Sequence, residues 1–386
     1  MLSKHEINRL VQLRHQLHQK PELSGEEKIT SQLIKDFLEE QLPDEIIENV
    51  GGYGVMAIYH GQSDGPTLCF RCDLDALPIQ EINDFDYKSN HPGVAHKCGH
   101  DGHMTIVSSM AMLFKKNRPA KGKLVLLYQP AEETGEGASR IIKDEKFKNL
   151  KPDYIIGLHN LPGYQASAVI VKDGVFAAAS KGMEIKLIGA TAHAAEPENG
   201  RSPALAMAKI IKQIESLPAT GKYKSFVLTT VVHAVLGKIA YGTTPGYAEV
   251  RATLRAYSDN DLEKLTYNAE RVLKHFCLLH KIDYQISYTE EFPATESSAD
   301  LSDLLMKIIR QNNLKYFKVE EPFRWSEDFG HFKKIAPTLF FGLGAGQISS
   351  LHNYDYDFPD QIIPAGTKIF YLLAQSLLCN HKSITH

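Results

Sequence analysis

The chain has 386 residues, 43% hydrophobic and 23% charged, with a formal net charge of -3. This length supports a large core and two domains, and the interspersed, nearly balanced charge argues against a nucleic-acid surface. There is no apolar run of membrane-span or secretory-signal type, and the five scattered cysteines do not form a disulfide framework, so a reducing cytoplasm is the expected location.

Ile7, Leu10, Val11, Leu13 and Leu17 are spaced for one face and predict a helix over 4–20, broken by PELSGEE; a second helix fits 26–41. Strands are predicted at 54–61 and 66–78, then a helix in GHMTIVSSMAMLFKKN. A strand at 122–130, a helix at 137–147 and a strand at 153–160 follow. This alternation predicts an α/β fold with a sheet covered on both faces. From about 181 to 292 the order becomes β-α-β-β-α-β, that of a ferredoxin-like α+β sandwich. The chain then returns to helix, to the strand TLFFGLGAG and to a closing helix at 361–379. The expected organisation is a catalytic domain from 1–180 plus 293–386, with a smaller domain inserted at 181–292. The C-terminal HKSITH matches no retention or lipidation signal.

Ligands of open α/β sheets gather at the carboxyl ends of the strands. There the sequence places Asp73 and Asp75, then Cys98-Gly99-His100-Asp101, then Glu132 and Glu133 in QPAEETGEG, then His159 and His352. Sulfur, imidazole and carboxylate together suit a divalent metal. In the Glu132-Glu133 pair, one carboxylate can bind metal while the other accepts a proton from water that the metal has acidified. Taken singly, each residue has a plainer role: Asp101 as a helix cap, the glutamates in a helix first turn, Cys98 as a buried thiol. Cys69 and Cys72 resemble half a metal motif, but positions three apart in a strand face opposite ways. His96 and His103 flank the motif without being obvious ligands. A thiol hydrolase built on Cys98 is a rival; no G-x-S-x-G elbow is present.

The pieces RHQLHQKPELSGEE, RCDLDALPI, HKCGHDGHM, QPAEETGEGA, IGLHNLPG, SEDFGHF and LHNYDYDF lie in order along nearly the whole chain. Together they resemble the co-catalytic metallopeptidase family of the aminoacylases, in its amidohydrolase branch of N-acyl-amino-acid, hippurate and auxin-conjugate hydrolases and N-acetyldiaminopimelate deacetylases. The resemblance implies a mixed-sheet metallo-exopeptidase-like domain with an inserted lid that often mediates dimerisation. It implies two divalent ions per subunit, manganese or zinc with cobalt or nickel as further options, held by Cys98, His100, Glu133, His159 and His352. By the same resemblance Glu132 is the general base, Asp75 (with Asp73 as competitor) supports the ligands, His193 stabilises the oxyanion, and Arg255 meets the substrate carboxylate.

The departures fall in the inserted domain: Gly242 where relatives carry Asn, Glu196 and Glu198 where many have Met and His, and Ser202 where Asp is common. They bear on substrate choice rather than on the chemistry. The expected activity is cleavage of an N-acyl amino acid or a related small acylated or peptidic substrate. A dipeptidase or aminopeptidase on the same frame is the first alternative, and a metal-retaining binding protein the second.

Overall fold

The computed structural model describes residues 2–379, so the terminal HKSITH lies outside the described residues. The chain forms two compact units. One runs from the N-terminal end to Phe176, through Thr295–Pro322, and from Asp328 onward; the other is Ala177–Ala294 with Phe323–Glu327.

The first unit is an eight-stranded mixed sheet in the order Glu45–Val50, Gly54–His60, Lys123–Gln129, Thr67–Asp73, Tyr154–Pro162, Thr338–Gly346, Val169–Val171, Tyr316–Lys318. The four central strands run parallel. TLCFRCD is buried at every position, as a parallel strand covered on both faces must be. Leu68, Phe70, Cys72, Leu124, Leu126, Leu339 and Phe341 point into one core, with Leu10, Leu13 and Leu17 from Lys4–Gln19, Met110 from His100–Lys116 and Phe370 from Ile363–Leu378. Helix His100–Lys116 is buried all round from His100 to Phe114, so its position is fixed by contacts on every side. The α/β sheet that the alternating pattern predicts, and the mixed sheet that the resemblance implies, are what this unit builds.

Two local differences have physical causes. The helix predicted over 137–147 is two pieces, Gly137–Lys143 and Glu145–Lys148. Asp144 between them is extended, caps the second through Lys146 N, and accepts the Gly51 N–H at 2.9 Å. The strand Glu45–Val50 escapes the sequence pattern because it is a largely exposed edge, with no buried face to impose alternation.

The second unit is a four-stranded antiparallel sheet in the order Val227–Leu236, Tyr247–Ala256, Ala179–Ile188, Asp283–Phe292, with helices Ala204–Thr220 and Asp259–His280 packed on it. Taken in chain order, this is the ferredoxin-like arrangement.

Behind the first turn of His100–Lys116, His18 is buried between Asp101 at 2.8 Å and Glu81 at 3.0 Å. Burial opposes its charge, but the two carboxylates win and push its pKa up to about 8 from 6.5. Folded His18 therefore holds its proton more tightly than in the unfolded chain. The stabilisation is fully present below pH 6.5 and is lost as pH rises through about 8. Between pH 6 and pH 9, wild-type stability to urea should fall by roughly 2 kcal/mol more than that of His18→Gln. Equal slopes for the two proteins would refute the assignment.

Candidate metal centre

The parallel strands deliver their carboxyl ends to one edge of the first unit, and the chemistry-bearing residues follow from there. Cys98 and His100 flank Gly99, whose φ of +90° lies in the left-handed region. A Cβ on Gly99 would also come within 2.5 Å of Asn160 Oδ1 and 2.8 Å of Tyr356 Oη. Ala131, before Glu132, also has positive φ (+54°), and its N–H donates to the buried Glu27 Oε1 at 2.8 Å. Conformations of this kind in non-glycine residues persist only where the surroundings hold them. His352 is another, at φ +65°.

Gly99→Ala is expected to leave the secondary structure intact by circular dichroism while weakening metal binding at least about tenfold, the scale on which ligand-orienting contacts act. Titration with zinc or manganese reads the effect. Unchanged affinity would mean that the turn is not what aims Cys98 and His100.

Cys98 Sγ lies 3.4 Å from His159 Nε2 and 3.4 Å from His352 Nε2. His100 Nε2 lies 3.8 Å from Glu133 Oε1 and 4.0 Å from Glu132 Oε2, and His352 Nε2 is 3.8 Å from Glu133 Oε1. The ligand atoms of Cys98, His100 and His159 fall within 4.8 Å of one another, and so do those of Cys98, Glu133 and His352. The two trios share Cys98.

This donor set fits metal. His100 Nε2 and Glu133 Oε1 are buried without a hydrogen-bond partner, an arrangement that is costly unless something binds them. Burial pushes the Glu133 carboxyl up to about 7. Burial and Glu133 hold the Cys98 thiol well above its usual range, while burial and His103 hold His159 well below. Burial opposes charge on His100, yet Asp73 and Cys98 outweigh it and raise its pKa well above the ordinary value. A proton thus supplies part of the positive charge that a metal would bring. The same electrostatics count against Cys98 as a nucleophile, since a thiol pushed upward is not a thiolate at neutral pH.

The residues around the ligands fix their orientation. His100 Nδ1 lies 2.8 Å from the Asp75 carbonyl, while Asp75 Oδ2 accepts from Glu133 N at 2.9 Å and Ser24 Oγ at 2.6 Å. Asp75 therefore backs two candidate ligands at once. Asp73 is instead engaged by His103 Nδ1 at 2.8 Å and Arg71 Nη1 at 2.9 Å. His96 is buried with neither ring nitrogen hydrogen-bonded. Cys69 and Cys72 are buried free thiols and belong to no metal-competent group among the described residues.

Sequence reasoning missed a buried ionic network. Arg71 Nη2 donates to Asp328 Oδ1 at 2.7 Å and its Nε to Gln129 Oε1 at 2.8 Å. Asp328 also accepts from Gln129 Nε2 and from Ala138 N at 2.8 Å, and its own N–H donates to Glu132 Oε1 at 3.4 Å. The signal was present: an arginine in the middle of an otherwise apolar strand needs a buried partner.

His193 and Arg255 belong to the second unit. His193 is exposed, in a two-residue strand opposite Thr243. Arg255, on Tyr247–Ala256, donates from Nη1 to the Arg324 carbonyl at 3.0 Å and to Ser326 Oγ at 2.9 Å. Burial works against its charge, and Glu290 is the carboxylate that favours it.

The family whose sequence pattern matches the chain, over residues 69–376, is peptidase family M20/M25/M40. The chain belongs to peptidase family M20/M25/M40. Within this family it is 30% identical to the N-acetyl-L-cysteine deacetylase of Bacillus subtilis, over 96% of this chain and 88% of that one. It is 29% identical to the hippurate hydrolase of Campylobacter jejuni, over 95% and 96%. A crystal structure from Bacillus subtilis, described as a dinuclear metal binding peptidase from the M20 family, superposes with a TM-score of 0.84. That structure is 24% identical and covers 98% of this chain and 99% of its own, a likeness that shows the fold. The resemblance carried by the sequence motifs is thus borne out. As an M20-family member the protein is a metal-dependent hydrolase of amide or peptide bonds. Among the described residues, no helix is long and apolar enough to cross a membrane.

Proposed function

We propose that the chain is a cytoplasmic amidohydrolase that cleaves N-acyl amino acids, or closely related small acylated or peptidic substrates, to a carboxylate and a free amine. The observation carrying this reading is the pair of trios sharing Cys98, with the buried carboxylate of Glu132 beside them. Cys98, His100, Glu133, His159 and His352 would hold two divalent ions, manganese or zinc. Bound there, the ions would polarise the amide carbonyl and make water acidic enough to lose a proton near neutral pH. Glu132 accepts that proton and returns it to the leaving nitrogen. Asp75 keeps His100 and Glu133 aimed. Arg255 binds the substrate carboxylate, and His193 donates to the developing oxyanion. The neutral hydrogen-bond partners of Arg255 and the exposure of His193 are compatible with these roles.

The enzyme is proposed to act as a homodimer through its second unit. Val227–Leu236 is an edge strand of that sheet, and Val232, Val235 and Leu236 on it are 62%, 40% and 38% exposed. An apolar open edge of this kind invites pairing with another strand. Five free cysteines accord with a reducing compartment.

The test is hydrolysis of N-acetyl and N-benzoyl amino acids, with free dipeptides as controls, by chelator-stripped protein reloaded with manganese or zinc. Metal-dependent release of amino acid from acylated substrates is expected. Turnover of free dipeptides alone would replace this reading with the peptidase one. Light scattering checks the dimer, and a monomer at micromolar concentration would refute that part.

A further inference from the structure

His352 differs from the other candidate ligands in how it is held, an argument that rests on reading it as a ligand. Its φ of +65° is one that a side-chain-bearing residue adopts only when constrained, and its side chain is 51% exposed. The constraint comes from Lys97, the residue before Cys98. The Lys97 carbonyl accepts the His352 N–H at 2.8 Å. Its fully buried amine donates to the Tyr356 carbonyl at 2.8 Å and to Asn83 Oδ1 at 2.8 Å, and pairs with Glu81. Lys97 thus grips the His352 segment at two points, four residues apart. The Tyr356 hydroxyl in turn accepts from Asn160 Nδ2 at 2.6 Å, beside His159.

A second buried cation holds the far end of the same segment. Arg14 Nη1 lies 2.8 Å from Asp357 Oδ1 and its Nε 2.8 Å from Asp360 Oδ1, while Nη2 donates to the Phe358 carbonyl at 3.2 Å. Tyr87 Oη adds a bond to Asp357 at 2.7 Å. A guanidinium donating in three directions fixes orientation as well as distance.

We propose that Lys97 and Arg14 are positioning residues of the metal centre. They dock the 351–360 segment so that His352 reaches Cys98 and Glu133, completing one of the two ion sites; Arg14 also meets Asp101, beside His100, at 3.4 Å, so the Lys97 and Asp357 variants are the ones that isolate this site. Ion pairs with a purely structural role would lower stability without distinguishing the two ions.

The test counts metal per subunit and measures the two affinities by titrating zinc and cobalt into the stripped, full-length protein, following cobalt absorption, with urea unfolding of each metal-free variant as control. Wild type should bind two ions and His352→Ala one. Lys97→Met should weaken one ion about 10- to 100-fold, the range for groups that orient ligands, and leave the other within about twofold. Asp357→Asn should act in the same direction with a smaller shift, and it decides the matter alone if Lys97→Met does not fold. Lys97→Met added to His352→Ala should cause no further loss, because both act on one contact. Two ions of wild-type affinity in Lys97→Met and Asp357→Asn, or equal weakening of both ions, would overturn the proposal while His352 stood as a ligand. Two ions retained in His352→Ala would instead overturn the ligand reading itself.

Discussion

Glu132→Gln should keep its metal and lose roughly 10²- to 10⁴-fold in kcat, the range spanned by a positioned general base. The replacement matches the shape of the carboxylate. Glu132 is buried, with Oε1 receiving the Asp328 N–H at 3.4 Å and Oε2 lying 4.0 Å from His100 Nε2. An amide oxygen can accept the same N–H, so the side chain should stay where it is. What it loses is the capacity to take a proton from the attacking water. Metal content is checked by elemental analysis and turnover on the best acylated substrate. Turnover within a few-fold of wild type would remove Glu132 from its role, and lost metal would reassign it as a ligand.

Arg71→Met should destabilise the protein by roughly 3–5 kcal/mol, the cost of leaving one side of a buried ion pair without its partner. Here two carboxylates would lose the guanidinium they share, because Arg71 bridges Asp73 and Asp328, both fully buried. Burial works against the charge on Asp73, yet His100, His103 and Arg71 together hold its pKa well below the ordinary carboxylate value. Arg71→Lys should not restore stability, since one ammonium cannot meet Asp73, Asp328 and Gln129 together. Urea unfolding of the metal-free proteins measures both changes. A loss below about 1 kcal/mol for Arg71→Met would mean that water or a rearranged neighbour compensates the two aspartates.

What could be read in the sequence follows from where the chemistry sits. Glu133 and His352 are ligand-type residues in loops after strands, His159 lies inside Tyr154–Pro162 and Cys98 and His100 open helix His100–Lys116, and the ends of those elements are largely visible in the apolar pattern. Strand Thr338–Gly346 was legible as a continuous apolar run because both its faces are buried, and helix Asp259–His280 because one buried face stamps its period on it. Glu45–Val50 bears no such stamp, and the break at Asp144 depends on a side chain reaching Gly51, far away in sequence. The network of Arg71, Gln129 and Asp328 was only half legible for a related reason. Arg71 in an apolar strand announces a buried partner, but which residues answer it is decided only where the strands lie side by side. Sheet order, with Thr338–Gly346 between Tyr154–Pro162 and Val169–Val171, likewise leaves no local trace.

That last placement governs the order in which the molecule can be made. Cys98, His100, Glu133 and His159 leave the ribosome as one block, and His352 follows roughly 190 residues later. The slot beside Tyr154–Pro162 stays empty until Thr338–Gly346 is synthesised, so the first unit's sheet cannot close while the chain is growing. The second unit, almost wholly contiguous in sequence, faces no such delay. A chain emerging from its N-terminal end would therefore complete the insert before the sheet, and the His352 side of the metal centre would be assembled last.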